Sequence, residues 1–257
     1  MKWNKRKTAS LAIGLAVLVA AGCGNNEGAG EEAELHVAAA ADLYDAFSAM
    51  EEPFTEETGI DVTFNFGSTG LMTQQIEEGA PVDVFAAAHE SYIDRLIEGG
   101  HMEEETKAHY ANGLIVYLYD EEKYGEMDAE TLVEEDVQTI AIANPEHAPY
   151  GQAAMESFEA HEVEEEVDEK LVYAENVRQA VQYVETGEAD AGVVALALAE
   201  ETGLGYTLIE DDSHEPIVQA VGIPAQAEYE EEAERFIDFV LSEEGREILE
   251  EYGFELP

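Results

Sequence analysis

Basic residues are scarce in this chain: Lys and Arg together number 11 in 257 residues, against 60 Asp and Glu. The formal net charge is -49 at pH 7. A nucleic-acid-binding surface needs a basic face to neutralise phosphates, so that class is excluded. Cysteine is scarcer still, and the single Cys excludes an intramolecular disulfide framework and any multi-cysteine zinc site. Nor is there a long apolar run, because the stretch over residues 11–21 falls short of the roughly 20 residues that a membrane-spanning helix needs. Hydrophobic residues still make up 46%, an ordinary share for a globular protein, so the acidity sits on a foldable chain. The length suits one large domain or two small ones.

Lys2, Lys5, Arg6 and Lys7 precede the apolar stretch, which gives the charged and apolar regions of a secretory signal. The segment ends Val19-Ala20-Ala21-Gly22-Cys23. Small residues directly before a lone cysteine resemble a lipoprotein signal over 1–22, with Cys23 as the lipidated new N-terminus, although Ala20 stands where Leu is usual. Residues 23–33, with Gly24-Asn25-Asn26-Glu27-Gly28-Ala29-Gly30, read as a flexible tether. Cleavage at Cys23 removes four basic residues and no acidic one, which makes the net charge more negative still. Such self-repulsion destabilises a folded domain in dilute buffer, whereas at molar salt the Debye length falls to about 3 Å. The expectation is a halophilic acidic surface working in brine, with runs such as Glu103-Glu104-Glu105 and Glu230-Glu231-Glu232 as solvated helix faces.

Strand and helix patterns alternate along the rest of the chain. Strands are predicted over 35–40, 60–66, 82–87, 113–119, 139–143, 171–173, 191–195, 206–210 and 217–223. Helical patterns cover 43–57, stopped by Gly59, then 71–78, 90–98, a stretch from Gln152, 175–185, 228–241 and 243–252. The alternation argues for α/β architecture with mainly parallel sheets and no internal repeat. In such sheets ligands bind where strands end and helices begin, because helix N-termini present backbone N–H groups there. Four segments have that form: Ala39-Ala40-Ala41-Asp42, Gly67-Ser68-Thr69-Gly70, Ala148-Pro149-Tyr150-Gly151 and Ala174-Glu175-Asn176-Val177. Each is weak evidence alone, since helix starts favour Ser, Thr, Asp or Gly in any case.

Taken in order, however, a set of motifs is specific. Val37-Ala38-Ala39-Ala40-Ala41-Asp42-Leu43, Phe66-Gly67-Ser68-Thr69-Gly70, Gln75-Ile76-Glu77-Glu78-Gly79-Ala80-Pro81-Val82-Asp83-Val84-Phe85, the loop Asn144 to Gly151, Glu175-Asn176-Val177-Arg178 and Tyr252-Gly253-Phe254 together resemble the molybdate-binding component of ABC importers, the ModA family. The resemblance implies a two-lobed periplasmic-binding-protein fold of type II, with two crossover strands between the lobes. Lobe one would comprise 34–112 plus 222–257, and lobe two 113–221. It further implies a monomer without enzymatic activity or cofactor, held at the outer face of the cytoplasmic membrane by its lipid. There it would capture molybdate, with tungstate beside it, for an importer permease.

Carried over from the family, the oxyanion ligands fall on Ala41 and Asp42 in the first loop, Ser68 and Thr69 in the second, Tyr150 in the third and Val177 in the fourth. Some members use a tyrosine on the strand that here ends at Ala195, where no such hydroxyl exists; others place one in the third loop. The Tyr150 hydroxyl is therefore expected to reach the anion. Asp42 departs from the pattern, because a carboxylate beside a dianion is repulsive by several kcal/mol at an effective dielectric near 20. As N-cap of the following helix it would also compete for the same N–H groups. Either its side chain turns away and only backbone binds, which is the preferred reading, or it is protonated, or the site has changed its ligand.

The chemistry of the residues agrees with capture by neutral groups, since oriented N–H and O–H dipoles can hold a tetrahedral dianion without a cation. Arg178 is the one basic residue inside a site motif, as a source of positive potential behind the site or as a surface ion pair. His147 lies in the third loop and could be read as a base, but the family resembled has a similar loop without catalysis, and His36, His89, His101, His109, His161 and His214 show no metal-ligand spacing. Ser68 lacks a nucleophile-elbow context, and no cation site is expected. The alternatives are a binding protein for another oxyanion, sulfate or phosphate, or a secreted hydrolase or metal-binding lipoprotein of the same shape.

Overall fold

A computed structural model describes residues 34–257; the signal, Cys23 and the tether expected over 1–33 lie outside the described residues. The first lobe opens with β1 (Glu34–Ala40), α1 (Tyr44–Thr58), β2 (Asp61–Gly67), α2 (Thr69–Glu77), β3 (Val84–Ala87), α3 (Glu90–Glu98) and β4 (Ala108–Gly113). The second holds β5 (Ile115–Tyr119), α4 (Glu121–Tyr124), α5 (Ala129–Leu132), β6 (Ile140–Ala143), α6 (Pro149–Ala160), α7 (Glu164–Val167), β7 (Leu171–Ala174), α8 (Val177–Glu185), β8 (Ala191–Ala195), α9 (Leu196–Ala199) and β9 (Gly205–Leu208). The chain then returns through β10 (Ile217–Gly222) and ends in α10 (Glu230–Leu241) and α11 (Glu243–Glu251). Among the described residues no helix is long and apolar enough to cross a membrane.

The two sheets share one plan, with orders β2-β1-β3-β10-β4 and β7-β6-β8-β5-β9. In each, a central strand pairs in parallel with both neighbours, β1 with β2 and β3, β6 with β7 and β8. The remaining pairs are antiparallel, so the sheets are mixed rather than mainly parallel. The reason lies in the connections: the chain leaves lobe one from β4 into β5 and comes back from β9 into β10, and these opposed passages join the sheets against the direction of β3 and β8. Hydrophobic alternation reports burial and is blind to pairing direction. Because β10 belongs to the first sheet, the lobe boundary falls before Ile217 and not at 222. Strand β4 carried no clean period, with its burial alternating irregularly, and was not expected from the sequence.

Register places the site. Strands β1 and β2 pair from Glu34 opposite Asp61 to Ala40 opposite Gly67, so both end at the same sheet edge. Strands β6 and β7 likewise end together at Ala143 and Ala174. Four helix starts therefore emerge in pairs from two sheet edges. Three of the four strands end in a buried alanine, Ala40, Ala143 or Ala174, and β2 ends in Gly67, so the ends add little bulk between a ligand and the backbone.

Lobe one is tied together by aromatic packing and one carboxylate. Phe236 of α10 meets Phe47 and Phe54 of α1 edge-on, with centroids 5.6 and 5.2 Å apart, which holds the C-terminal return on the first sheet. Such pairs add about 0.5–1.5 kcal/mol beyond their burial. Asp83, from the Pro81-Val82-Asp83 motif, accepts His36 N–H at 2.9 Å through one oxygen and Glu228 and Tyr229 N–H at 2.9 and 3.2 Å through the other. It joins β1 to the segment leading into α10.

Candidate ligand-binding cleft

Ala41, Asp42, Ser68, Thr69, Tyr150 and Val177 line one small pocket, shared with Ala40, Gly67, Ala88, Ala148, Pro149 and Asn176. All four strand-to-helix loops contribute, two from each lobe. Neither α2 nor α6 has a side-chain cap at its N-terminus, and the Asn176 side chain caps α8 by accepting Gln179 N–H at 3.0 Å. The N–H of Val177 lies in the first turn, where intrahelical acceptors are lacking, as does that of Tyr150 behind Pro149. No Lys, Arg or His is among the lining residues. The pocket thus offers positive ends of dipoles and hydroxyls, without a cation.

The rim is latched across the lobes. Ser68 Oγ donates to the His147 carbonyl at 2.7 Å and lies 2.7 Å from His147 Nδ1, and Gly70 N–H donates to the same carbonyl at 2.8 Å. A Cβ on Gly70 would stand 2.7 Å from that oxygen, so this approach requires glycine. The latch gives Ser68 a partner that was not expected: its single hydroxyl hydrogen is taken by His147. Thr69 fits its expected role better. Its Oγ1 accepts Ala88 N–H at 3.2 Å, and its own hydrogen remains for the pocket.

At the back of the pocket lies a buried polar network. Tyr150 donates its hydroxyl to Asp42 Oδ2 at 3.0 Å, and Gln219 Nε2 donates to the same oxygen at 2.6 Å and to the Tyr150 hydroxyl at 3.1 Å. Gln219 Oε1 in turn accepts from Tyr110, at 2.6 Å, whose hydroxyl also lies 3.2 Å from the Ala87 carbonyl. Gly113, at the crossover, makes room for the Tyr150 hydroxyl, which a Cβ there would overlap. The network links the turn after β1, helix α6 of the other lobe and both crossover strands.

Two side chains take partners that were not expected. The Tyr150 hydroxyl donates its one hydrogen to Asp42 and accepts from Gln219. Asp42 is not the N-cap of α1, a position held by Leu43 without a side-chain cap. Its carboxyl faces Tyr150 and Gln219 and is 1% exposed, with Oδ1 buried and unpartnered. Burial pushes its pKa up to about 6, against the bonds from Gln219, Tyr150 and its own backbone. Burial, then the nearby Asp42 charge, holds Tyr110 and Tyr150 well above the ordinary phenol value.

Residues 35–255 match the family described as bacterial extracellular solute-binding protein. The chain is 31% identical to the molybdate-binding protein ModA of Rhodobacter capsulatus over 95% of this chain and 93% of that one. It is 29% identical to the putative ABC transporter substrate-binding lipoprotein YvgL of Bacillus subtilis, over 97% and 98%. The solved periplasmic molybdate-binding protein of Azotobacter vinelandii superposes with a TM-score of 0.83 at 28% identity, covering 87% of this chain and 99% of that one. The chain belongs to the bacterial extracellular solute-binding proteins.

Membership in that family makes the molecule a solute-binding protein, not an enzyme. The resemblance to ModA read from the loop motifs holds over nearly the whole described chain. Arg178, inside the fourth motif, does not line the pocket. Its guanidinium lies 3.5 Å from the centroid of the Tyr44 ring, across the lobes, and Tyr44 packs edge-on against Phe66 at 5.1 Å. It forms an interlobe cation–π clamp, a contact the sequence did not suggest, and also interacts electrostatically with Asp45. Sequence reasoning passed over Gln219 entirely. The available signal was a lone amide in the apolar run Ile217-Val218-Gln219-Ala220-Val221, at a register shift between Gln219 and Ala220, and bulges of this kind re-aim side chains.

Proposed function

We propose that this protein captures a tetrahedral oxyanion, molybdate and with it tungstate, between its lobes outside the cytoplasmic membrane and delivers it to the permease of an ABC importer. One observation carries the reading: all four strand-to-helix loops converge on one small, cation-free pocket whose donors are backbone N–H groups and the Thr69 hydroxyl. Dipoles of this kind suit a dianion. Because they are fixed, they also select by size; a smaller anion leaves donors unpaired at about 1–3 kcal/mol each. Molybdate and tungstate have nearly equal bond lengths, whereas sulfate and phosphate are smaller. The names of the relatives support the same ligand class, and the lipoprotein named among them supports an anchor at Cys23.

An anion that touches loops of both lobes stabilises the closed form, which is the form a permease would recognise. Calorimetric titration in molar salt with molybdate, tungstate, sulfate and phosphate is the test. Molybdate and tungstate should bind one to one with similar affinity and the smaller anions far more weakly; silence from all four would sink the proposal. Mass spectrometry of the mature N-terminus checks the anchor, since an unmodified Cys23 in membrane-derived protein would contradict it.

A further inference from the structure

The back wall poses a chemical problem for any anion. Asp42 lines the pocket, and its Oδ2 is claimed by Tyr150 and Gln219. Oδ1 is therefore the carboxyl atom left over, buried and without a partner. An ionised Oδ1 can only accept hydrogen bonds, while a deprotonated dianion can only accept them too. Two acceptors cannot satisfy each other without a hydrogen between them.

We infer that Asp42 is the neutral acid in the liganded site and donates through Oδ1 to the bound oxyanion, so that capture takes up one proton. This rests on the oxyanion reading above. The surroundings leave few other ways to neutralise the carboxyl. Tyr150 on α6 and Tyr110 on β4 are both held above the ordinary phenol value, and β10 offers the uncharged Gln219. On α1 and α8, Asp45 and Arg178 interact with each other, and Arg178 also lies over the Tyr44 ring. Helix α9 carries no titratable residue, β2 only Asp61 at its far end, and His147 is engaged with Ser68 at the rim. No charged side chain contributes to the rise of the Asp42 pKa, which burial alone drives. A bound dianion raises it further, so the free site is ionised near pH 8 and the occupied site is not.

The test is calorimetry with sodium molybdate on the full mature chain in two buffers of different ionisation enthalpy, Tris and HEPES. At about pH 8 the buffer dependence should report uptake of about one proton, and the Kd should rise about tenfold per pH unit above about pH 7. Asp42→Asn supplies a permanent donor in the same shape; its Kd should be flat with pH and roughly a hundredfold lower than the parent's at about pH 8. Molybdate binding with no proton uptake would overturn the inference and leave the oxyanion reading intact. A pH slope that persists in Asp42→Asn would also overturn it, by assigning the proton to His147 or another group. No binding of any oxyanion by either protein at any pH would remove both.

Discussion

Two polar clusters close the pocket, the latch at its rim and the network at its back, and they use the same chemistry with different consequences. At the rim, Ser68 and Gly70 meet the half-buried loop residue His147 through bonds that join only two loops. At the back, Asp42, Tyr150, Gln219 and Tyr110 are all nearly without solvent contact and join four elements. A bond near solvent is exchanged for water when it breaks, so it contributes little net stability. A buried one leaves groups stranded. The rim is therefore suited to opening and closing, and the back to fixing where the two lobes meet.

Mutations should separate the two. The largest effect is expected for Gln219→Leu, which leaves the Tyr110 hydroxyl only its longer bond to the Ala87 carbonyl and strips a donor from Asp42 and Tyr150. Unfolding in denaturant should show a loss of about 4 kcal/mol; a loss below about 1 kcal/mol would mean that water replaces the amide and that the back is no more committed than the rim. Next comes Asp42→Asn. Because the folded pKa of Asp42 is raised to about 6, the native state holds a proton that the unfolded chain has lost between about pH 4 and 6, and this group's contribution falls as pH rises through that window. Relative to the parent, Asp42→Asn should thus gain up to about 3 kcal/mol by pH 7 and nothing near pH 4. A gain equal at both pH values would contradict the linkage. Smallest is Gly70→Ala, whose Cβ meets the His147 carbonyl only when the lobes are closed. Molybdate affinity should drop about tenfold, equivalent to about 1.4 kcal/mol, with the melting temperature of the free protein nearly unchanged. A large drop in that temperature would show that the latch is a structural contact and erase the contrast with the back.

Much of the candidate pocket was legible beforehand, and particular residues show why. Ala41, Asp42, Ser68, Thr69, Tyr150 and Val177 were found because strand-to-helix loops announce themselves through local composition, and all six line the pocket. The partners of the hydroxyls were not legible, because composition carries no information about who else competes for a hydrogen. Ser68 meets His147 79 residues away, and Tyr150 meets Asp42 at a separation of 108. Strand β10 was found as an apolar run yet placed partly in the wrong lobe, since an apolar strand reads alike in either sheet.

The sequence by itself determined the alternation of strands and helices, the four helix starts, the acidic surface and the family resemblance, all of which rest on periodicity, on local turn chemistry and on short motifs in order. Tertiary structure alone decided the mixed pairing of the sheets, the latch of Ser68 on His147, the clamp of Arg178 on Tyr44 and the burial of Asp42 against Gln219, 177 residues distant. Those features follow from the requirement that each buried polar group find a partner in space, and which partner is near is settled only when the lobes fold together. The unpartnered Oδ1 of Asp42 is the place where that requirement is left to the ligand.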